Sequence, residues 1–384
     1  MESSPNDPNK VKYAKYFSWL IILTIVSIFL SGRIQFWMPE YSHMDFVKYK
    51  AMAEVSPQIS EDIIQPYVYR VLAPWLAGLV PFETEISFYL LTILSLLLIV
   101  YLFFSFLILN GIEYRIAFAL TSCFIFNRYF FQFLAWDYFH LTDSLSLAII
   151  LLFLINLKNR NWFYLLAVSI TGILIKETVL ILIPIAYLFL FRYKAGIKDY
   201  GALTIISILT LLIFIGIRLM INVSGGEDLW TQFYTGLEYF FTVDSLLKKL
   251  VIAFLPFGLI PFLFYKESIK FLTSDYHFLA YFVLVFVASF FGDSERLMMP
   301  SAPVYYLLTG YIIQRYLTER INKAYLRKFL LYLMIISFAS SFYHLWGIIK
   351  LPTSAYSLFT SIVFMLVTGY LFIDIKRKHT KMPS

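Results

Sequence analysis

Apolar stretches long enough to cross a membrane recur from Phe17 almost to the end of the chain, separated by short runs of charged or polar positions. A helical crossing of the hydrocarbon layer takes roughly 20 apolar residues. On that rule the pattern predicts spans near 17–31, 86–109, 114–131, 142–157, 161–175 and 178–193. Further spans are predicted near 200–222, 248–266, 276–291, 297–316, 328–347 and 355–374. The expected fold is an all-α membrane protein, a polytopic bundle of about 12 transmembrane helices. No short repeat and no linker rich in Pro, Gly or Ser divides the pattern. Residues 1–384 therefore read as a single transmembrane domain with no separate soluble domain.

Two polar interruptions are long, 32–85 and 222–248. In the first, Asp45 and Tyr49 are four apart and share a helical face, with Met52 a turn further on. A second segment, Tyr67 to Leu76, sets Arg70 among aromatic and aliphatic residues between Pro66 and Pro74. Both read as interfacial helices, the first with its apolar surface against the bilayer. Val68–Phe82 is apolar enough to be counted as a span, which would invert the topology of everything after it.

Charge decides that ambiguity. With Val68–Phe82 kept outside, twenty of the 31 basic residues but only eight of the 24 acidic ones fall on inner segments. That asymmetry is what the positive-inside rule expects, with both ends on the inner side. The net charge of +7 is thus a topology signal, and no nucleic-acid partner is implied. A chain 60% hydrophobic and 14% charged is also not a soluble globular one. The polar residues before the first span include Lys10, Lys12 and Lys15, and no small-residue cleavage site follows it, so that span is expected to stay in place. Cys123 is the single cysteine, which excludes a disulfide framework and a multi-cysteine metal site. It reads as a packing residue.

The remaining chemistry-bearing residues then fall on the outer side: Asp45, Arg70, the Asp137–Asp143 turn with His140, Lys176-Glu177, and Glu295-Arg296. Charges at a membrane boundary are costly enough to suggest function. Each has a plainer alternative. Asp45 reads equally as a loop acid, and Arg70 as a side chain snorkelling to lipid phosphate. Asp137, His140 and Asp143 follow at i, i+3 and i+6, which suits metal, phosphate or sugar contacts and equally an acidic helix start. A His with two carboxylates can hold a divalent ion such as Mg or Mn, but a third fixed ligand is missing from the pattern, so the metal ligands stay unassigned. Lys176 suits a phosphate as a point charge, or snorkels beside Glu177. Glu295-Arg296 suits a lipid headgroup, or is a surface ion pair.

Taken in order, these residues resemble the GT-C superfamily of integral-membrane glycosyltransferases, especially small bacterial members that use polyprenyl-phosphate sugars. The resemblance rests on Asp45 with Tyr49 and Met52-Ala53, Tyr69-Arg70-Val71-Leu72-Ala73-Pro74, the Asp137 turn, Gly172…Lys176 and Glu295-Arg296-Leu297-Met298-Met299-Pro300. It runs from the first helix to about Gly310. It implies a GT-C-like bundle and a mannosyltransferase-like hexosyl transfer from a polyprenyl-phosphate sugar donor to a glycan, lipid or protein acceptor hydroxyl. The reaction would invert the anomeric centre, with a first-loop acid as base. Carried over, Asp45 is the base; Lys176, Arg296 and Arg70 meet the donor phosphate; Asp137 and His140 meet sugar or acceptor. Tyr49, Glu177 and Glu295 complete the expected substrate-binding set. Adjacent first-loop acids are common in the family, whereas Asp45 stands between Met44 and Phe46, which leaves Asp137 open as the base. No cofactor is implied beyond an optional divalent metal. The expected location is a bacterial inner membrane, with the active site on the outer side and membrane lipid around it. The alternative reading is a secondary transporter of a small polar or anionic solute, whose substrate would sit at the midplane.

Overall fold

The computed structural model describes residues 8–31, 45–58, 63–136, 138, 140–221, 229–292, 295–317, 323–341 and 354–381. Among them the chain is helical, with no strand. In order the helices are α1 (Pro8–Ser31), α2 (Asp45–Glu54), α3 (Leu72–Leu79), α4 (Thr84–Leu109), α5 (Tyr114–Ile125) and α6 (Phe131–Trp136). Then come α7 (Leu141–Lys158), α8 (Trp162–Ile175), α9 (Leu182–Arg192), α10 (Ile197–Met220), α11 (Leu229–Phe240) and α12 (Val243–Leu250). The rest are α13 (Ile260–Leu263), α14 (Tyr265–Ser274), α15 (Tyr276–Ala288), α16 (Ala302–Leu317), α17 (Lys323–Ser340) and α18 (Ser354–Lys381).

Among the described residues, four helices are long and apolar enough to cross a membrane: α1, α4, α7 and α10. Taking α14 and α15 as one bent span, with 104° between its halves, makes five. Their outward faces suit lipid. On α10, Ile208, Leu212, Ile215 and Leu219 are exposed and recur at helical spacing. α7 is instead the most enclosed of the four. It packs on α4 through small polar groups: Ser95 donates to Ser144 Oγ at 2.7 Å, and Thr92 donates to the Tyr138 carbonyl at 2.7 Å. Such pairs satisfy hydroxyls that hydrocarbon would leave unpaired.

The structure departs from the expected spans where proline intervenes. The segment 248–266 is not one helix but α12, a 3₁₀ turn at Ile252–Phe254 and the single turn α13. Pro256 and Pro261 lack the N–H that a continuous helix needs, and Gly258 packs too closely on the Val251 carbonyl to accept a Cβ. Asn127 holds this irregular backbone in place. Its amide donates to the Ala253 and Leu255 carbonyls at 3.2 and 3.1 Å, and its oxygen accepts from the N–H groups of Tyr129 and Phe130.

In the first loop α2 forms as expected, but its buried residues Phe46, Tyr49, Met52 and Ala53 pack on α3 and α4 rather than facing a bilayer. Gly78 makes this contact close, because a Cβ there would overlap the Ala53 carbonyl. The second expected interfacial helix is broken. A 3₁₀ turn, Tyr67–Tyr69, stops at Arg70, and α3 begins two residues later.

Candidate functional site

Four separate parts of the chain converge at one end of α7. They are α2 with the Tyr67–Tyr69 turn, the His140–Asp143 start of α7, the end of α8 with its following 3₁₀ turn (Glu177–Ile181), and the 3₁₀ turn Glu295–Ser301 that precedes α16. Gly172 permits the approach of α8, since a Cβ there would meet Val179 at 2.7 Å and Ile149 at 2.9 Å. The helix then ends at Lys176, whose extended backbone turns its side chain toward α7.

Two charged clusters result. In the first, Arg70 donates Nε to one oxygen of Glu177 at 3.1 Å and a terminal nitrogen to the other at 2.5 Å. Its remaining arm donates to Tyr49 Oη at 3.1 Å, and the Tyr49 ring stacks edge-on against Tyr67. Burial works against each charge here. The Arg70 charge and its hydrogen bonds nonetheless hold the Glu177 carboxyl down at about 2, while Glu177 keeps Arg70 well above its ordinary value. Burial pushes the Tyr49 phenol up.

The second cluster centres on Asp143. Lys176 donates to one carboxylate oxygen, and Arg296 donates to the other at 3.2 Å. Arg296 also donates to the His140 ring, its nitrogen 2.8 Å from Nδ1 and 2.9 Å from Nε2. An imidazole that accepts from a guanidinium must be neutral at the accepting nitrogen. Burial, reinforced by Arg296, accordingly lowers His140 to about 3. Phe133 backs both groups, 5.0 Å from the imidazole and 5.4 Å from the guanidinium carbon.

Asp143, Lys176 and Arg296 form the polar end of a cleft of about 580 Å³, counting the space at its mouth. The walls are apolar, built from Leu147, Ile150, Ile181, Val285, Leu297 and Met299. The lining charges leave one cation in excess, so the cleft suits an anion that carries an apolar portion.

The structure therefore brings together Tyr49, Arg70, His140, Lys176, Glu177 and Arg296. It does not bring Asp45 into the cleft: that carboxylate accepts from Tyr67 at 2.6 Å, on the first-loop side of the Arg70 cluster. Arg70 does not line the cleft either, being engaged by Glu177 and Tyr49. Glu295 opens the turn that carries Arg296 but is not a lining residue. Asp137 lies outside the described residues. Among those described, no group of three or more His, Cys, Asp or Glu side chains converges to hold a metal ion. The hub itself, Asp143, is legible in sequence as the last member of the Asp137, His140, Asp143 spacing, but not as the residue that joins Lys176 to Arg296. No family model matches the chain, and neither a curated protein nor a solved structure matches it.

Proposed function

We propose that this protein is a membrane-embedded glycosyltransferase that moves a sugar from a polyprenyl-phosphate donor to an acceptor hydroxyl on the outer face of the membrane. The observation that carries the reading is the cleft, where Lys176 and Arg296 stand at the polar end of an otherwise apolar groove. A lipid phosphate has that same polarity. Lys176 and Arg296 would stabilise the phosphate as it departs, which is the charge such a transfer develops. The transfer chemistry itself comes from the GT-C resemblance, whereas the full set of about 12 spans rests on apolar run length and the outward orientation on the charge asymmetry.

Within this reading Asp45 is the base that deprotonates the acceptor. Asp143 is the poorer choice, because both its oxygens are engaged by cations, whereas Asp45 carries one neutral donor, Tyr67. Direct displacement by one activated hydroxyl inverts the anomeric centre. The transporter reading gains little from the bent α14–α15 pair. Its break at Asp275 is six residues from Tyr281, the first residue of α15 to line the cleft, or roughly 9 Å along a helix.

The test is transfer by purified protein from a labelled polyprenyl-phosphate sugar, wild type against Asp45→Asn. Turnover that falls by orders of magnitude while donor binding persists supports both the activity and the base. Intact turnover in the variant moves the base elsewhere. No binding or turnover across a panel of sugar donors removes the transferase reading.

A further inference from the structure

Two hydroxyls in the cleft are enclosed yet bond to nothing among the described residues: Ser146 Oγ and Thr178 Oγ1. Ser146 is 3% exposed. A buried helical hydroxyl has an easy partner in the carbonyl three or four residues back. Ser144, Ser169, Ser207 and Thr309 all take it. Ser146 does not. Tyr281, on the opposite wall, is also satisfied, donating to the Pro300 carbonyl at 2.7 Å. Among the described residues Thr121 and Ser341 also lack a hydrogen-bond partner, but neither lines the cleft.

Position gives the two orphans meaning. Ser146 is three residues beyond Asp143 on α7, so it shares that face roughly 4.5 Å further along the axis. Thr178 follows Glu177 in the turn after α8, two residues from Lys176. An unpaired buried hydroxyl costs free energy that a ligand hydroxyl would recover. A ligand anchored by its anion at Lys176 and Arg296 would bring its next few atoms to this pair.

Resting on the glycosyltransferase reading, we propose that Ser146 and Thr178 form a hydroxyl-recognising subsite for the sugar of a glycosyl phosphate whose phosphate lies at Lys176 and Arg296. The ligand class is an anionic monosaccharide phosphoester with an isoprenoid tail. The two residues determine which sugars bind and take no part in bond breaking. A bare lipid phosphate would leave both hydroxyls unsatisfied.

The experiment measures binding of citronellyl phosphate, citronellyl phosphomannose and citronellyl phosphoglucose to the full chain in detergent. It compares wild type with Ser146→Ala, Thr178→Val and the double variant, after thermal unfolding shows that each is folded. The expected result is that one or more of the sugar esters binds wild type about tenfold more tightly than citronellyl phosphate, which is the scale of one or two ligand hydrogen bonds. Either single variant should lose most of that advantage while binding citronellyl phosphate as wild type does. If the advantage survives in the double variant, or wild type shows none, the subsite is refuted and the lipid-phosphate site stands. If wild type binds none of the three, the subsite and the transferase reading fall together.

Discussion

Arg70 and Glu177, 107 residues apart, meet through two parallel hydrogen bonds that seat the first loop on the helical bundle. Both side chains are largely buried, at 13% and 18% exposure. Breaking one partner of such a pair leaves the other charge uncompensated, at a cost of roughly 3–5 kcal/mol. Arg70→Gln and Glu177→Gln should each lower the unfolding temperature in detergent markedly, and Arg70→Met with Glu177→Leu should lower it less than either. Single variants as stable as wild type would show that other contacts seat the loop.

The same pair sets an acid limit. Glu177 titrates near 2 in the folded protein against an ordinary 4.5, so its contribution is whole above pH 4.5 and is lost as pH falls through about 2. The stability gap between wild type and Glu177→Gln should stay constant from pH 7 to pH 5. It should close on further acidification, followed by tryptophan fluorescence.

His140 responds in a different window. Its folded value of about 3 lies below the ordinary 6.5, so between these the unfolded chain binds a proton that the folded one refuses. Stability therefore falls as pH drops below 6.5, by roughly 2 kcal/mol at pH 5. His140→Gln should make that slope clearly shallower between pH 7 and pH 5. An unchanged slope would assign it to other groups.

Asp143 neutralises the cations of its own cleft. Asp143→Asn should lower the unfolding temperature, since Lys176 and Arg296 lose their counter-charge, yet tighten binding of citronellyl phosphate several-fold. Weaker binding in a folded variant would mean that Asp143 contacts the ligand or shapes the cleft.

Lys249 tests the support behind Arg296. It is 0% exposed and donates to the Ser289 and Gly292 carbonyls at 2.5 and 2.7 Å, just ahead of the Glu295–Ser301 turn. Lys249→Met strands both carbonyls, at about 1–3 kcal/mol each at most. It should lower the unfolding temperature and weaken citronellyl phosphate binding without touching the cleft. Unaltered affinity would separate that turn's support from the site.

The all-helical fold could be read from apolar run length, and α4, α7 and α10 lie close to their expected bounds. Segment 248–266 misled because run length ignores Pro256 and Pro261, which break the helix without lowering hydropathy. For the site, isolated charges on apolar background drew attention to Arg70, Lys176, Glu177 and Arg296. Which charge meets which could not be read, because pairing across 107 or 153 residues depends on how helices pack. Ser146 gave no signal at all. Serines are common in the apolar helices of this chain, and only a missing partner at a cleft-lining position sets this one apart.

Lys176 and Glu177 are consecutive residues that serve different masters. One belongs to the cleft and the other to the loop clasp, so a single peptide unit joins the two. A ligand that draws Lys176 off Asp143 acts one residue away from the carboxylate that Arg70 holds. Occupancy and loop seating are then two ends of one lever, and whatever factor the seated loop adds to affinity, the ligand returns to the loop.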